Sequence, residues 1–459
     1  MDKKLSAPLL GGLEGGGMGG GGGGGAHTGM SMLEVCFMQT AIILGLGVLG
    51  LSFALGTMGW ALGLLILGLS AAGAVYSGLL IAAIVEHLSG GGRRPGQPPP
   101  RKYSDLGFAA WGPRGRVLVR NVQYTFLGGA LVAVQLTASK ALVEVAGAAG
   151  GEGSLCLWVA NVLVALAMLP IMQKQQLSDV SWTAFLGVAM IMLPVALFLS
   201  VVATHAADAG SGAAPTSVGF PSASSGFDRF SNGMTTLVFA FQGQTIFPEL
   251  ISQMARPAEF PRAVRLSVGF MATVYVAVGC YGYSLLGAGA TYLVDFVDGL
   301  QDVRGADQRR IAAANAMLMV NVMMGYTING NVMNHALADR FLGDGGGSGG
   351  GGGAAEAVRP KPAWLAITCT TLTVSFLLSN VIPNLGSLLS VLGATCGYTL
   401  TFLFPAGIAL KLLRGSMTPA QVLLHQAVIA SAALAVAIGT YATLKNLVEQ
   451  SEASGVFTC

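Results

Sequence analysis

Long runs of uncharged, apolar residues recur along this chain, each about as long as a bilayer is thick, and charge is confined to the segments between them. A helix needs ~20 mostly apolar residues to cross a hydrocarbon core of ~30 Å. No water is available there to satisfy backbone N–H and C=O groups, so runs of this length imply helices, which close their own hydrogen bonds. Charged residues make up 10% of the 459, against 53% hydrophobic, and the mean hydropathy is +0.66. A soluble domain carries charge at roughly a quarter of its positions. The expectation is an all-α polytopic membrane protein.

Eleven spans are expected, near 33–56, 59–84, 117–140, 156–173, 180–203, 231–254, 264–286, 311–337, 363–382, 386–411 and 419–443. Short connections join the first pair and the ninth to the tenth, the latter through Pro383 and Asn384. With the N-terminus cytoplasmic, 18 Lys and Arg fall on inner segments and six on outer ones. That three-to-one bias obeys the positive-inside rule and places the C-terminus outside. Residues 1–32 form a Gly-rich tail with 13 glycines between Gly11 and Gly29, and Gly343–Gly353 holds nine more within an inner loop at 340–362. No strand precedes either tract, so both read as flexible linkers rather than phosphate loops. The remaining organisation expected is a five-helix unit at 33–203, an outer loop at 204–230, a second five-helix unit at 231–411, the eleventh helix and an outer tail at 444–459. Six cysteines show no metal-ligand spacing. Cys156 and Cys459 alone fall outside the spans, where a bridge between them is open.

Two spans are not simple helices. The first carries glycines at 45, 47 and 50. Each weakens a helix by ~1 kcal/mol relative to alanine, although small residues also serve close helix packing in membranes. The sixth reads Phe239-Ala-Phe-Gln-Gly-Gln-Thr-Ile-Phe-Pro-Glu249. Glutamines at mid-membrane are expensive unless they face a cavity or a partner, and Pro248 removes a backbone donor. Interruptions five helices apart suit a five-plus-five inverted repeat, in which paired broken helices mark a transporter's site. Freed N–H groups at a half-helix start favour a carboxylate, and freed carbonyls at a half-helix end favour an ammonium.

The stretch Gly45-Leu-Gly-Val-Leu-Gly-Leu-Ser-Phe-Ala54 with Gly59-Trp60 resembles the first-helix signature of the amino acid/auxin permease family. Tyr103-Ser-Asp-Leu-Gly107 with Gly112-Pro-Arg-Gly115 resembles its loop before the third helix. Phe239–Gln244, Phe247-Pro-Glu249 and Phe260-Pro261 resemble its sixth helix and following loop, and Ile382–Ser390 with Gly393 its tenth. The resemblance implies a leucine-transporter-like, APC-type fold of eleven helices and ion-coupled amino acid transport. It implies substrate contacts from Gly45, Leu46 and Gly47, and from Phe239, Phe241, Gln242 and Gly243, with Gln244 alongside. The chain departs from the family at Ser52, where many members have Pro, and at Gln244, where many have His.

No cofactor is expected beyond a coupling proton or sodium ion. The sodium-coupled branch places Asn where this chain has Ala41, and Thr40 is the one side-chain oxygen between residues 40 and 51. A sodium site would lean on helix-one carbonyls and a hydroxyl such as Thr327, so protons are favoured about two to one. Glu34, Glu249 and His335 are the other coupling candidates. The apolar spans favour neutral amino acids as substrate, and the expected surroundings are the bilayer of a plasma membrane or a vacuolar or lysosome-like membrane. Nothing points to nucleic acid, and oligomeric state is not legible. Five scattered histidines without a catalytic neighbour argue against an enzyme. A sensor on the same fold and an auxin-like carboxylate carrier are the alternatives.

Overall fold

The computed structural model describes residues 29–92, 100–148, 155–175, 181–208, 216–218, 226–293, 306–342, 360–382 and 385–453. Its α-helices are α1 (Met32–Ile43), α2 (Leu51–Ser89), α3 (Tyr103–Ala148), α4 (Leu157–Ile171), α5 (Ser181–Asp208), α6 (Phe227–Ala240), α7 (Phe247–Gln253), α8 (Phe260–Leu286), α9 (Ala306–Leu342), α10 (Lys361–Val381), α11 (Leu385–Leu392), α12 (Phe404–Leu412) and α13 (Pro419–Ala453). Eight helical stretches among the described residues are long and apolar enough to cross a membrane. One of them, Leu46–Ser89, folds back at Gly59 (φ 76°, ψ 178°), so that a Cβ on Gly63 would stand 3.2 Å from the Leu55 side chain. It therefore carries the outer half of the first span and all of the second. Adding α1, α4 and the two halves α6 and α7 of the sixth gives eleven spans among the described residues, in the expected order.

Several boundaries differ from expectation. The segment expected as a loop before the third span is the helical start of α3, turned back at Gly112 (φ 70°, ψ −154°) and Pro113. Asp105 forms this short helix by accepting from the backbone N–H of Arg101 and Lys102 at 3.2 and 3.1 Å. The Tyr103 hydroxyl then anchors it by donating to Leu400 O at 2.8 Å. The tenth span is not continuous α-helix: α11 and α12 are joined by two π-helical turns, Gly393–Gly397 and Thr399–Leu403. The last helix runs to Ala453, into what was expected as a tail. The Gly-rich tracts, the Pro383–Asn384 turn and Cys459 lie outside the described residues. Cys156 is disulfide-bonded, whereas Cys36, Cys280, Cys369 and Cys396 are free.

Leucines such as Leu65, Leu69 and Leu166 face outward, as a lipid-facing surface requires, while buried amides and hydroxyls tie the spans together. Asn161 of α4 accepts from Ser139 of α3 at 2.7 Å and from Ser379 of α10 at 3.1 Å, and donates to Asn380 at 3.3 Å. Such bonds hold helices together where the hydrophobic effect between them is absent.

Gly112 occupies a backbone region essentially closed to other residues, although a Cβ there would meet nothing within 4 Å. Gly112→Ala is expected to destabilise the protein by about 1–3 kcal/mol through backbone strain alone. Gly68→Ala, equally open but helical, is expected to be neutral or to gain up to ~1 kcal/mol. Thermal unfolding of both variants in detergent checks the contrast.

Candidate functional site

The two interrupted spans meet along one antiparallel seam. At its base the strand-like Met30 pairs with the end of α7: Met30 N donates to Gln253 O at 2.8 Å, and Ala255 N to Met30 O at 3.0 Å. Further along, a Cβ on Gly243 would collide with Ile43, one on Gly47 would lie 2.5 Å from Ala240 Cα, and one on Gly50 2.7 Å from Thr236 Cγ2. Residue numbers rise on one side as they fall on the other, which is how inverted helices must pack. Of the three first-span glycines, Gly47 and Gly50 therefore serve close approach, while a Cβ at Gly45 would meet only Ile42 O, at 3.8 Å.

Both helices stop at this seam. α1 ends at Ile43 and resumes as a 3-10 turn from Leu46 to Gly50. α6 ends at Ala240, and the chain passes through Phe241–Gly243 before a 3-10 turn, Gln244–Ile246, leads into α7. Pro248 sits in the first turn of α7, where its missing N–H costs nothing. The freed backbone groups find specific partners. Tyr275 of α8 places its hydroxyl 2.7 Å from Ala240 O and 3.2 Å from Ile43 O, so one O–H serves the last carbonyl of each half-helix. The Gln244 side chain folds back, accepting from Gly243 N at 3.0 Å and donating to Phe241 O at 3.4 Å. Gln123 of α3 donates to Thr245 O at 3.1 Å. From the π-helical part of the tenth span, Thr401 donates toward Gln242 Oε1 at 2.6 Å, with Gln244 Oε1 at 3.2 Å. Gln242 Nε2 is buried without an acceptor among the described residues. The Phe241 ring packs edge-on against Tyr275, centroids 4.9 Å apart, and Phe239 faces Phe126 at 6.0 Å.

A family model for transmembrane amino acid transporter proteins matches residues 28–445, so it takes in both breaks and all eleven spans. The chain belongs to this transmembrane amino acid transporter family. Among curated relatives, amino acid transporter AVT1B of Arabidopsis thaliana is 25% identical, covering 89% of this chain and 70% of its own. AVT3B from the same plant is 24% identical, covering 89% and 92%. Among solved structures, MhsT in complex with L-phenylalanine superposes with a TM-score of 0.57 at 12% identity, covering 91% of this chain and all of the other. Mhp1, a nucleobase-cation-symport-1 family transporter, gives 0.54 at 9% identity over 94% and 95%. At such identities the likeness is one of fold, and that fold is the leucine-transporter-like arrangement. By family the chain is a transmembrane amino acid transporter and not an enzyme.

On one side of the breaks this transporter is sealed. Thr236 of α6 bonds the Tyr292 hydroxyl at 2.8 Å, Ser390 of α11 stands 3.4 Å from Thr236, and Phe53 stacks on Tyr292 with centroids 5.1 Å apart. On the other side a narrow cavity of about 20 Å³, room for one water, is lined by Lys102, Gln123, Glu249 and His335. Gln123, which holds the broken backbone at Thr245 O, forms part of its wall. Beside it Lys102 and Asp339 form an ion pair at 2.8 Å. Burial opposes the charge on Lys102, but the Asp339 hydrogen bond and charge, aided by Glu249, outweigh it and raise the lysine pKa. A raised lysine pKa keeps its contribution to stability fully present below the ordinary lysine range and lost only as pH rises through the folded value, so the lysine stays charged near neutrality.

The four coupling candidates are scattered. Glu34 is exposed at the start of α1, where it completes a capping box with Ser31. The Thr327 hydroxyl donates to Met323 O of its own helix at 2.9 Å. Glu249 and His335 share the narrow cavity; His335 Nε2 lies 2.9 Å from Gln175 O and its ring packs on Trp364. Sequence reasoning missed Tyr275, Gln123, Thr401 and Tyr292. Tyr275 is an isolated polar residue in an apolar run, whereas Gln123, Tyr292 and Thr401 stand among other polar residues that mask them.

Tyr275→Phe leaves two buried carbonyls without their hydroxyl, a loss of about 1–3 kcal/mol. A lower melting temperature and a several-fold loss of amino acid flux are expected, read by thermal unfolding and vesicle uptake. Gly47→Ala is expected to abolish flux in membrane-inserted protein because its new methyl meets the α6 backbone. Gly243→Ala should retain more flux, since the Ile43 side chain can move aside; parallel uptake measurements test the order.

Proposed function

We propose that this transporter is a proton-coupled symporter of neutral amino acids, working by alternating access with its substrate held between the two breaks. The N-terminus is assigned to the cytoplasm by the distribution of basic residues, which places the narrow Lys102–Glu249–His335 cavity on the cytoplasmic side. The observation that carries the substrate reading is the uncommitted Gln242 amide, a buried donor at the meeting of two half-helices. A carboxylate supplies the acceptor that this N–H lacks, and the half-helix ends complement both charges of a zwitterion. The side chains around the breaks are aromatic, aliphatic, hydroxyl or amide, so none there is a charged partner for a charged substrate side chain.

The coupling reading rests on Glu249 and His335 lining one cavity together with Gln123, which holds the broken sixth span. Ala41, where the sodium-coupled branch carries Asn, offers no side-chain oxygen to a sodium ion.

Proteoliposomes holding the purified chain test both claims with a panel of labelled amino acids and separately imposed proton and sodium gradients. Uptake of neutral amino acids should follow the pH gradient and ignore sodium. Uptake driven by sodium, or indifferent to both gradients, overturns the coupling. Gln242→Leu should lower uptake by about 10- to 100-fold, the worth of a hydrogen bond to a charged group, while leaving the melting temperature near that of the unmodified chain. His335→Gln should uncouple flux from the pH gradient and spare amino acid exchange.

A further inference from the structure

A second, larger cavity of about 260 Å³ opens between α3 and α9, on the side of the molecule where Lys102 and Asp339 pair. Val117, Arg120, Asn121 and Tyr124 line it from α3, and Leu337 and Arg340 from α9. These spacings of three and four place each set on one helix face. The face of α3 is the one turned away from the protein interior: Val117 and Asn121 are exposed, whereas Val119, Gln123 and Phe126 are buried. The two cations differ from their neighbours. Arg116 is held by Asp105 at 3.5 Å and by the Phe108 ring at 4.2 Å, and Lys102 by Asp339. Neither Arg120 nor Arg340 has a carboxylate partner among the described residues.

The surroundings are apolar and open. Val117 is 44% exposed, Leu118 53%, Leu342 49% and Phe341 76%. Trp111 stands half-exposed at the turn where the membrane-crossing part of α3 begins, the place of an interfacial aromatic. Arg120 lies two helical turns beyond that turn, about 12 Å along the axis, and Arg340 two residues before the end of α9. The Arg120 side chain is long enough to snorkel back toward the interface, and it lines the same groove as Arg340 near the helix end, beside side chains suited to acyl chains.

We propose that this groove binds an anionic phospholipid. Arg120 and Arg340 clamp its phosphate from two helices, Tyr124 and Asn121 add hydrogen bonds, and the acyl chains cover Val117, Leu118 and Leu337. Arginine suits this role because its planar fork matches phosphate oxygens. Basic pockets between spans are recognised lipid-headgroup sites. The orientation proposed above puts the groove in the cytoplasmic leaflet, where anionic lipids concentrate, but binding itself does not depend on that assignment or on the coupling ion.

Native mass spectrometry of the full chain in detergent, titrated with dioleoylphosphatidylglycerol or dioleoylphosphatidylcholine, tests the proposal. An interfacial cation contributes about fivefold to anionic lipid binding, so phosphatidylglycerol should be retained about 25-fold over phosphatidylcholine. R120Q/R340Q should erase that preference, R120K/R340K should keep most of it, and R414Q, at a residue outside the groove's lining, should leave it unchanged. If the double variant does not fold, the single variants each read a fivefold loss. Equal retention of the two lipids by the unmodified chain, or a preference that survives R120Q/R340Q, overturns the site. Displacement of phosphatidylglycerol by equimolar inorganic phosphate would also overturn it, by showing a soluble-anion site instead.

Discussion

Backbone polar groups that lose their helical partners inside a membrane have no water to turn to, and each costs several kcal/mol if left bare. Interrupting two spans at mid-membrane is therefore possible only where other side chains take over those bonds. Tyr275 and Gln244 do this from opposite directions. Tyr275 reaches in from a neighbouring span and serves both broken helices with one hydroxyl. Gln244 serves the sixth span from within, bonding on either side of Gly243 and Phe241. The family resemblance made Gln244 a departure that removes a titratable histidine. In this chain its amide fits the local need well, because it both donates and accepts and a neutral imidazole offers those roles on opposite ring edges.

The closed face and the narrow face follow from the same seam. Gly47 brings the first span against the α6 backbone, Gly50 brings it against the Thr236 side chain, and Gly243 brings the sixth span against the Ile43 side chain, so neither break can shift without the other. Toward Tyr292 the seam is locked by hydroxyl–hydroxyl bonds and a stacked ring, contacts of about 1 kcal/mol each that a rigid-body movement can break. Toward Lys102 it is flanked by a cavity too small for any amino acid. The arrangement is thus sealed on one side and narrowly hydrated on the other. Passage toward Lys102 requires α3, α7 and α9 to part around Gln123, Glu249 and His335.

The existence and order of the spans, and the positions of both breaks, were legible because bilayer thickness and backbone satisfaction impose them locally. Gly45 and Gln242-Gly243-Gln244 announce an interruption without reference to anything far away. What was not legible depends on tertiary partners. The back-turned helix Tyr103–Trp111 reads as a loop because it has too few residues to cross a membrane, and its anchor, Leu400 O, lies in another span. The π-helical turns of the tenth span have no sequence period of their own. They matter because they present Thr401 to Gln242 and Gln244. The double role of the first-span glycines was likewise hidden: packing and interruption were treated as competing explanations, and the structure assigns Gly47 and Gly50 to close contact while Gly45 occupies the break itself.

That division changes how the site must work. If all three glycines merely loosened the first span, substrate binding would have to order a flexible segment and bear its entropy. Instead Gly47 and Gly50 clamp one side of the break against α6, and Tyr275 holds the carbonyl end of the other. On the reading proposed above, the unwound segment is held in one shape before substrate arrives, which lowers the ordering cost of binding. The remaining freedom lies in the Gln242 amide, whose oxygen is committed to Thr401 and whose nitrogen is not. A ligand that engages the nitrogen pulls on Thr401 through the same side chain, and so connects the sixth span to the tenth at the moment of binding.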